Sequence, residues 1–126
     1  MGSKMDLNDL TYQINGAAFE VSSILGPGFL EKVYENALLL ELRKRNLKAV
    51  NQVPINVLYK GENVGEYVAD ILVEDQVVIE LKTVDKLEKI HEAQILCYLK
   101  ATGIKVGLLM NFKKSKVEIK RMVLNL

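Results

Sequence analysis

Asp70 sits in the apolar run Ala69-Asp70-Ile71-Leu72-Val73, and ten residues later Val77-Val78-Ile79 leads into Glu80-Leu81-Lys82. Two carboxylates and an amine therefore fall within neighbouring segments that otherwise read as buried strands. Isolated charges in an apolar interior cost several kcal/mol each, on the order of a small domain's whole stability, so this chain has to fold in a way that compensates them. A divalent cation or a salt bridge from Lys82 would do so.

Side chains alternate along a strand, so Asp70 and Glu80 share a face only if the hairpin pairs even positions with even ones. A two-residue turn at Asp75-Gln76 would set Asp70 against Leu81 and split the charges between the two faces of the sheet. A three-residue turn over Glu74, Asp75 and Gln76 pairs Val73 with Val77 and Asp70 with Glu80, and this is the expected register. Asp70, Glu80 and Lys82 then lie on one face, with Ala69, Ile71, Val73, Val77, Ile79 and Leu81 on the other. Carboxylates about 5 Å apart repel each other, and Lys82 neutralises only one. Oxygen ligands of this kind suit Mg²⁺ or Mn²⁺ rather than zinc.

The rest of the chain supplies a frame for that hairpin. Leu10, Ile14, Ala17, Ala18, Val21, Ile24 and Leu25 recur at three and four residues, predicting a helix over 8–25 that ends at Gly26-Pro27-Gly28. Gly28 serves the backbone at that break. A second helix follows, with Leu30, Val33, Tyr34, Ala37, Leu38 and Leu42 on its apolar face and Arg43-Lys44-Arg45-Asn46 at its end. The pattern then predicts strands over 53–59, 64–73 and 77–81, a third helix over about 85–102 with Leu87, Ile90, Ala93, Ile95, Leu96 and Leu99 inside, and two last strands over 105–112 and 116–124. The order α-α-β-β-β-α-β-β describes one α+β or mixed α/β domain spanning all 126 residues. Met1-Gly2-Ser3-Lys4 reads as a vector-derived scar.

Composition excludes several classes. Hydrophobic residues make up 49% and charged residues 26%, too apolar for a long disordered tail. No apolar run approaches the roughly 18 residues that span a bilayer, and the start lacks the apolar stretch of a signal peptide, so no membrane association is expected. Cys97, the single cysteine, suits a buried thiol on an apolar helix and a reducing cytoplasmic setting. Lys100, Lys105, Lys113, Lys114, Lys116, Lys120 and Arg121 are opposed near the C-terminus only by Glu118. That basic end is either a solvated face guarding an edge strand or a phosphate-binding surface.

Gly28-Phe29-Leu30-Glu31-Lys32-Val33-Tyr34 has the form GxxExxY and is followed by Gln52-Val53-Pro54, Ala69-Asp70-Ile71-Leu72-Val73, Glu80-Leu81-Lys82 and His91 to Leu99. This ordered set resembles the GxxExxY protein family of the PD-(D/E)XK nuclease superfamily from about Leu10 to Phe112. The resemblance implies a restriction-endonuclease-like αβββαβ core with an extra N-terminal helix, its central mixed sheet flanked by helices. It also implies an Mg²⁺- or Mn²⁺-dependent phosphodiesterase acting on nucleic acid, DNA foremost. Asp70 matches the superfamily's first metal-binding aspartate, Glu80 its second acid and Lys82 its catalytic lysine. The Leu81 carbonyl and Glu31 would complete the metal site, and Gln94 and Tyr98 match the QxxxY element of exonuclease-like branches. Lys113, Lys114 and Lys116 would contact the nucleic acid.

Plainer roles exist for several of these residues. Tyr98 and Tyr34 suit core aromatics, Glu31 a first-turn acid favoured by the helix dipole, and His91 a satisfied or exposed histidine. A catalytically silent nucleic-acid- or protein-binding module on the same fold, or a homodimer joined through the C-terminal edge strand, is the competing functional expectation.

Overall fold

A computed structural model describes residues 5–126, so the scar expected at residues 1–4 lies outside the described residues. Helix α1 runs Leu7–Leu25, opened by Asp6, whose carboxylate accepts the N–H groups of Asn8 at 2.8 Å and Asp9 at 3.3 Å. Gly26, at φ 69°, ends it. Helix α2 spans Glu31–Lys44. Helix α3 spans Lys89–Thr102, between a reciprocal cap of Glu88 with His91 and the left-handed Gly103. The third helix thus begins about one turn later than the apolar spacing predicts. No helix among the described residues is long and apolar enough to cross a membrane.

Five strands form a single sheet in the order β1 (Ala49–Tyr59), β2 (Glu62–Val73), β3 (Val77–Lys82), β4 (Val106–Asn111) and β5 (Glu118–Val123). The first three pair antiparallel, β3 and β4 run parallel across the α3 crossover, and β5 returns antiparallel at the edge. Val73 pairs with Val77 around the turn at 74–76, as the odd-length turn requires. The chain has the mixed sheet and flanking helices of a restriction-endonuclease-like fold.

Two apolar clusters cover the two faces of this sheet. On one side Leu10, Ile14, Ala17, Ala18, Leu38 and Leu42 of α1 and α2 pack on Ile71, Val73, Val77, Ile79, Leu81, Leu108 and Met110. On the other, Ile95, Tyr98 and Leu99 of α3 pack on Ile55, Ala69, Val78 and Leu109. Ala69 therefore lies on the α3 side, apart from Ile71 and Val73. Simple alternation fails at Asp70, and opposite it Gln52 takes a left-handed φ of 52°, so both strands change face there.

The buried strip of α3 is narrow, and several residues expected inside are not. Ile90 is 62% exposed, Ala93 and Cys97 are exposed, and elsewhere Ile24 and Leu30 are 71% and 78% exposed and Val33 stands at the surface. The physical reason is close approach. Of α3 only Ile95, Tyr98 and Leu99 are buried, and Gly107 of β4 lets Ile95 settle directly on its backbone. A Cβ at Gly107 would stand 2.8 Å from Ile95 Cδ1 and 2.9 Å from Cγ1. Gly107→Ala is expected to destabilise the fold by about 1–3 kcal/mol in urea unfolding, with part of the loss recovered by Ile95→Val.

Candidate active site

The β2–β3 ladder ends at Ile71 and Ile79, one residue short of the acids. Beyond that point carboxylates replace backbone carbonyls as acceptors. The Asp70 N–H donates to Glu80 Oε1 at 3.2 Å, and the Leu81 N–H donates to Asp70 Oδ2 at 2.8 Å. The two strands fork here, β2 following β1 while β3 continues beside β4 as far as Lys82 and Asn111.

Burial makes the fork a poor host for two negative charges. It pushes the Glu80 carboxyl up to about 8, helped by the Asp70 carboxylate, and raises Asp70 as well. The two side chains hydrogen-bond to each other, Glu80 holding the proton and Asp70 accepting it. Lys82 lies within electrostatic reach of Asp70, Glu80 and Glu31, lowering all three. Yet it forms no ion pair within 4.0 Å among the described residues. The direct Lys82 salt bridge that could have neutralised these strands is absent from this arrangement. A proton shared by the acids takes its place.

The start of α2 supplies a second acidic layer. Burial and the charge of Asp70 raise Glu31, while Lys82 and the Thr83 backbone N–H lower it. One turn on, Glu35 is 4% exposed and was not singled out in the sequence. Its carboxylate accepts from Lys32 Nζ at 2.9 Å, Asn51 Nδ2 at 3.1 Å and Gln52 Nε2 at 3.0 Å. Burial works to raise Glu35, but these three donors outweigh it and leave the group below the usual carboxylate range. The four-residue step from Glu31 to Glu35 and the unexplained Gln52 were the available signals.

The donor chemistry fits a hard divalent cation. Asp70 and Glu80 offer carboxylate oxygens in a half-buried fork with surplus negative charge, and a cation would take the place of their shared proton. Among the described residues, no three His, Cys, Asp or Glu side chains close into a cage by themselves. Glu31, exposed at the first position of α2, stands at the rim. A cation here would rest on the two fork carboxylates, with Leu81 directly after Glu80 in sequence.

The remaining expected residues fall into distinct places. Tyr98 is 8% exposed; its hydroxyl donates to the Val68 carbonyl at 3.2 Å, and its ring meets Tyr67 edge-on at 5.3 Å. Burial, with Glu80 and Asp70 nearby, pushes the phenol up to about 12. Tyr98 thus braces β2 just ahead of Asp70. Gln94, one turn earlier, is exposed and makes no hydrogen bond to the acids among the described residues. His91 accepts the Glu88 N–H at 2.9 Å as part of the helix cap. Tyr34 is a core aromatic, stacked on Phe112 at 4.9 Å and donating to the Gly26 carbonyl at 2.6 Å, which holds the linker that delivers Glu31.

Parallel pairing of β3 and β4 sets Lys82 beside Asn111, so the lysine hairpin, the β4–β5 turn that carries Lys113, Lys114 and Lys116, leaves the sheet at the same end as the acids. Asn111 is fully buried and clamps Val84, accepting its N–H at 3.1 Å and donating to its carbonyl at 2.8 Å. Ser22 pins the hairpin to α1, donating to Ser115 O at 3.1 Å and accepting the Val117 N–H at 3.0 Å. Lys113 reaches Asp85 at 3.7 Å, Lys116 lies over Phe19, and Lys114 is exposed.

The model of the PD-(D/E)XK nuclease superfamily aligns with residues 8–122, from α1 through β5. No curated protein matches the sequence.

Proposed function

The chain belongs to the PD-(D/E)XK nuclease superfamily, and we propose on that footing that its acid fork hydrolyses nucleic-acid phosphodiester bonds with Mg²⁺ or Mn²⁺, DNA being the first substrate. The observation that carries this reading is the replacement of the β2–β3 ladder by the carboxylates of Asp70 and Glu80, which leaves acceptor oxygens and a displaceable proton where a paired sheet would need neither. Such a fork costs stability and has no structural purpose of its own.

A bound divalent cation would polarise the phosphate and lower the pKa of a water. The chain's own part is positional and electrostatic. Asp70 and Glu80 fix the oxygens, each held by a backbone N–H. The Lys82 ammonium, with no ion-pair partner within 4.0 Å among the described residues, is available to hydrogen-bond the negative charge that grows as water adds to phosphorus and the ester P–O bond breaks. Tyr98 and the Glu35 network hold β2 and β1 in place around the fork.

Purified protein should cleave at least one of single-stranded, duplex or branched DNA, or RNA, with Mg²⁺ or Mn²⁺, and chelation should stop it. Absence of cleavage across that set with both ions would reject an enzyme and favour a silent binding module. The lysine hairpin supports a role in substrate binding. Replacing Lys113, Lys114 and Lys116 together by Gln should weaken DNA binding and reduce its dependence on log salt by up to about 0.9 per lost phosphate contact for a duplex. An unchanged salt dependence in fluorescence anisotropy would remove these lysines from the interface.

A further inference from the structure

A groove of about 480 Å³ opens between the β1–β2 hairpin and α3, lined by Asn56, Leu58, Tyr67, Cys97 and Lys100 among others. Its position relative to the acids is set by β2. Tyr67 precedes Asp70 by three residues, about 10 Å along a strand, and its ring leans on Tyr98, whose hydroxyl bonds the intervening Val68 carbonyl. Groove and acid fork are thus two stations along one strand.

The lining is unusual for an unpartnered surface. Tyr67 remains 44% exposed and Leu58 64% exposed, so an aromatic face and an aliphatic side chain meet solvent together. The Asn56 side chain makes no hydrogen bond among the described residues, leaving an amide with both donor and acceptor capacity. Lys100 adds a cation. An aromatic surface, a two-way polar group and a positive charge within one groove match a planar heterocycle attached to a phosphate. A second copy of the chain would meet the apolar part but leave the amide and the lysine without reason.

We propose that this groove receives an unpaired nucleobase of the strand whose backbone lies at the acid fork, making single-stranded ends or loops the substrate class. The inference rests on the nuclease reading of the fork. A base still paired in a duplex could not enter, because its polar edge would remain in its partner and its faces in the stack.

Cys97 provides a direct readout, since it is exposed, lines the groove and is the chain's single cysteine. The rate of its alkylation by iodoacetamide is measured on the full chain with a chelator present, so that no cleavage intervenes. A short oligothymidylate should slow alkylation by about fivefold or more, whereas a hairpinless duplex and an abasic oligomer of equal length should leave it within twofold. Tyr67→Leu should abolish protection while Tyr67→Phe keeps it, the second variant guarding against loss of fold in the first. Binding of oligothymidylate, seen by anisotropy, without protection of Cys97 would overturn the proposal, as would no binding at all. Equal protection by the abasic oligomer, or protection that grows with protein concentration alone, would overturn it in favour of backbone contact or a second copy. Cleavage without Cys97 protection would refute the groove and leave the nuclease reading standing; protection without cleavage in added Mg²⁺ would do the reverse.

Discussion

Lys82→Ala is expected to lower the Mg²⁺-dependent cleavage rate by roughly 10²–10³-fold while leaving the far-ultraviolet circular dichroism spectrum unchanged. Lys82 is half-buried at the end of β3, hydrogen-bonded through its backbone carbonyl to the Phe112 N–H at 2.9 Å, and its ammonium enters no ion pair within 4.0 Å among the described residues. Removing that ammonium breaks no internal bridge. Its loss should fall on turnover rather than on folding, and Lys82→Arg should restore little, because a planar guanidinium presents its donors differently from a compact ammonium. A fall in Tm of many degrees together with the lost activity would instead give Lys82 a structural role.

Glu80→Gln should have the opposite signature, stabilising the cation-free protein above neutral pH while abolishing cleavage. Glu80 is 6% exposed and its carboxyl is raised from 4.5 to about 8 by burial and by Asp70. Between those values the folded chain binds more protons than the unfolded one, so stability falls as pH rises. The contribution is fully present below the ordinary carboxylate range and is lost as pH climbs through about 8, an effect on the order of a few kcal/mol. Asp70, also raised by burial, acts with the same sign. Glu35 is lowered and acts with the other sign, at pH values below the usual carboxylate range, outside this window. Gln imitates the protonated acid, donating to Asp70 without ever ionising, so the variant and the parent should match near pH 5 and diverge toward pH 8. Mn²⁺ should stabilise the parent and not the variant, by about 2.7 kcal/mol at a hundredfold excess over its Kd. Urea midpoints across pH check both; a variant that is weaker at every pH would show that the shared proton does not govern the fork.

The features of this site that follow from strand alternation were legible in the amino-acid order. Val73 meets Val77, and Asp70 and Glu80 come together around an odd-length turn, because an even-length turn would split the charges between the two faces of the sheet. Helix α3 and its stop at Gly103 followed from periodicity and a glycine that takes φ 78°. What alternation conceals is a local reversal. Gln52, at φ 52°, turns β1 so that Asn51 points to Glu35 while Val53 joins the α3 cluster, and Ala69 follows it across the sheet. Nothing in the residue type of Gln52 announces a left-handed backbone, so nothing in the sequence sets Glu35 apart from an ordinary helix-surface acid. Cys97, Ile90 and Ala93 were misplaced for a related reason, since the depth of α3 against the sheet depends on Gly107, in a strand that follows the helix.

Isothermal titration of Mn²⁺ into the parent protein and into Asp70→Asn, at pH 7 in two buffers of different protonation enthalpy, bears most directly on the fork as a cation site. The parent should bind with a buffer-dependent heat that reports release of the proton shared by Glu80 and Asp70, and Asp70→Asn should lose that binding. Identical isotherms for the two proteins, or no binding by the parent, would contradict it.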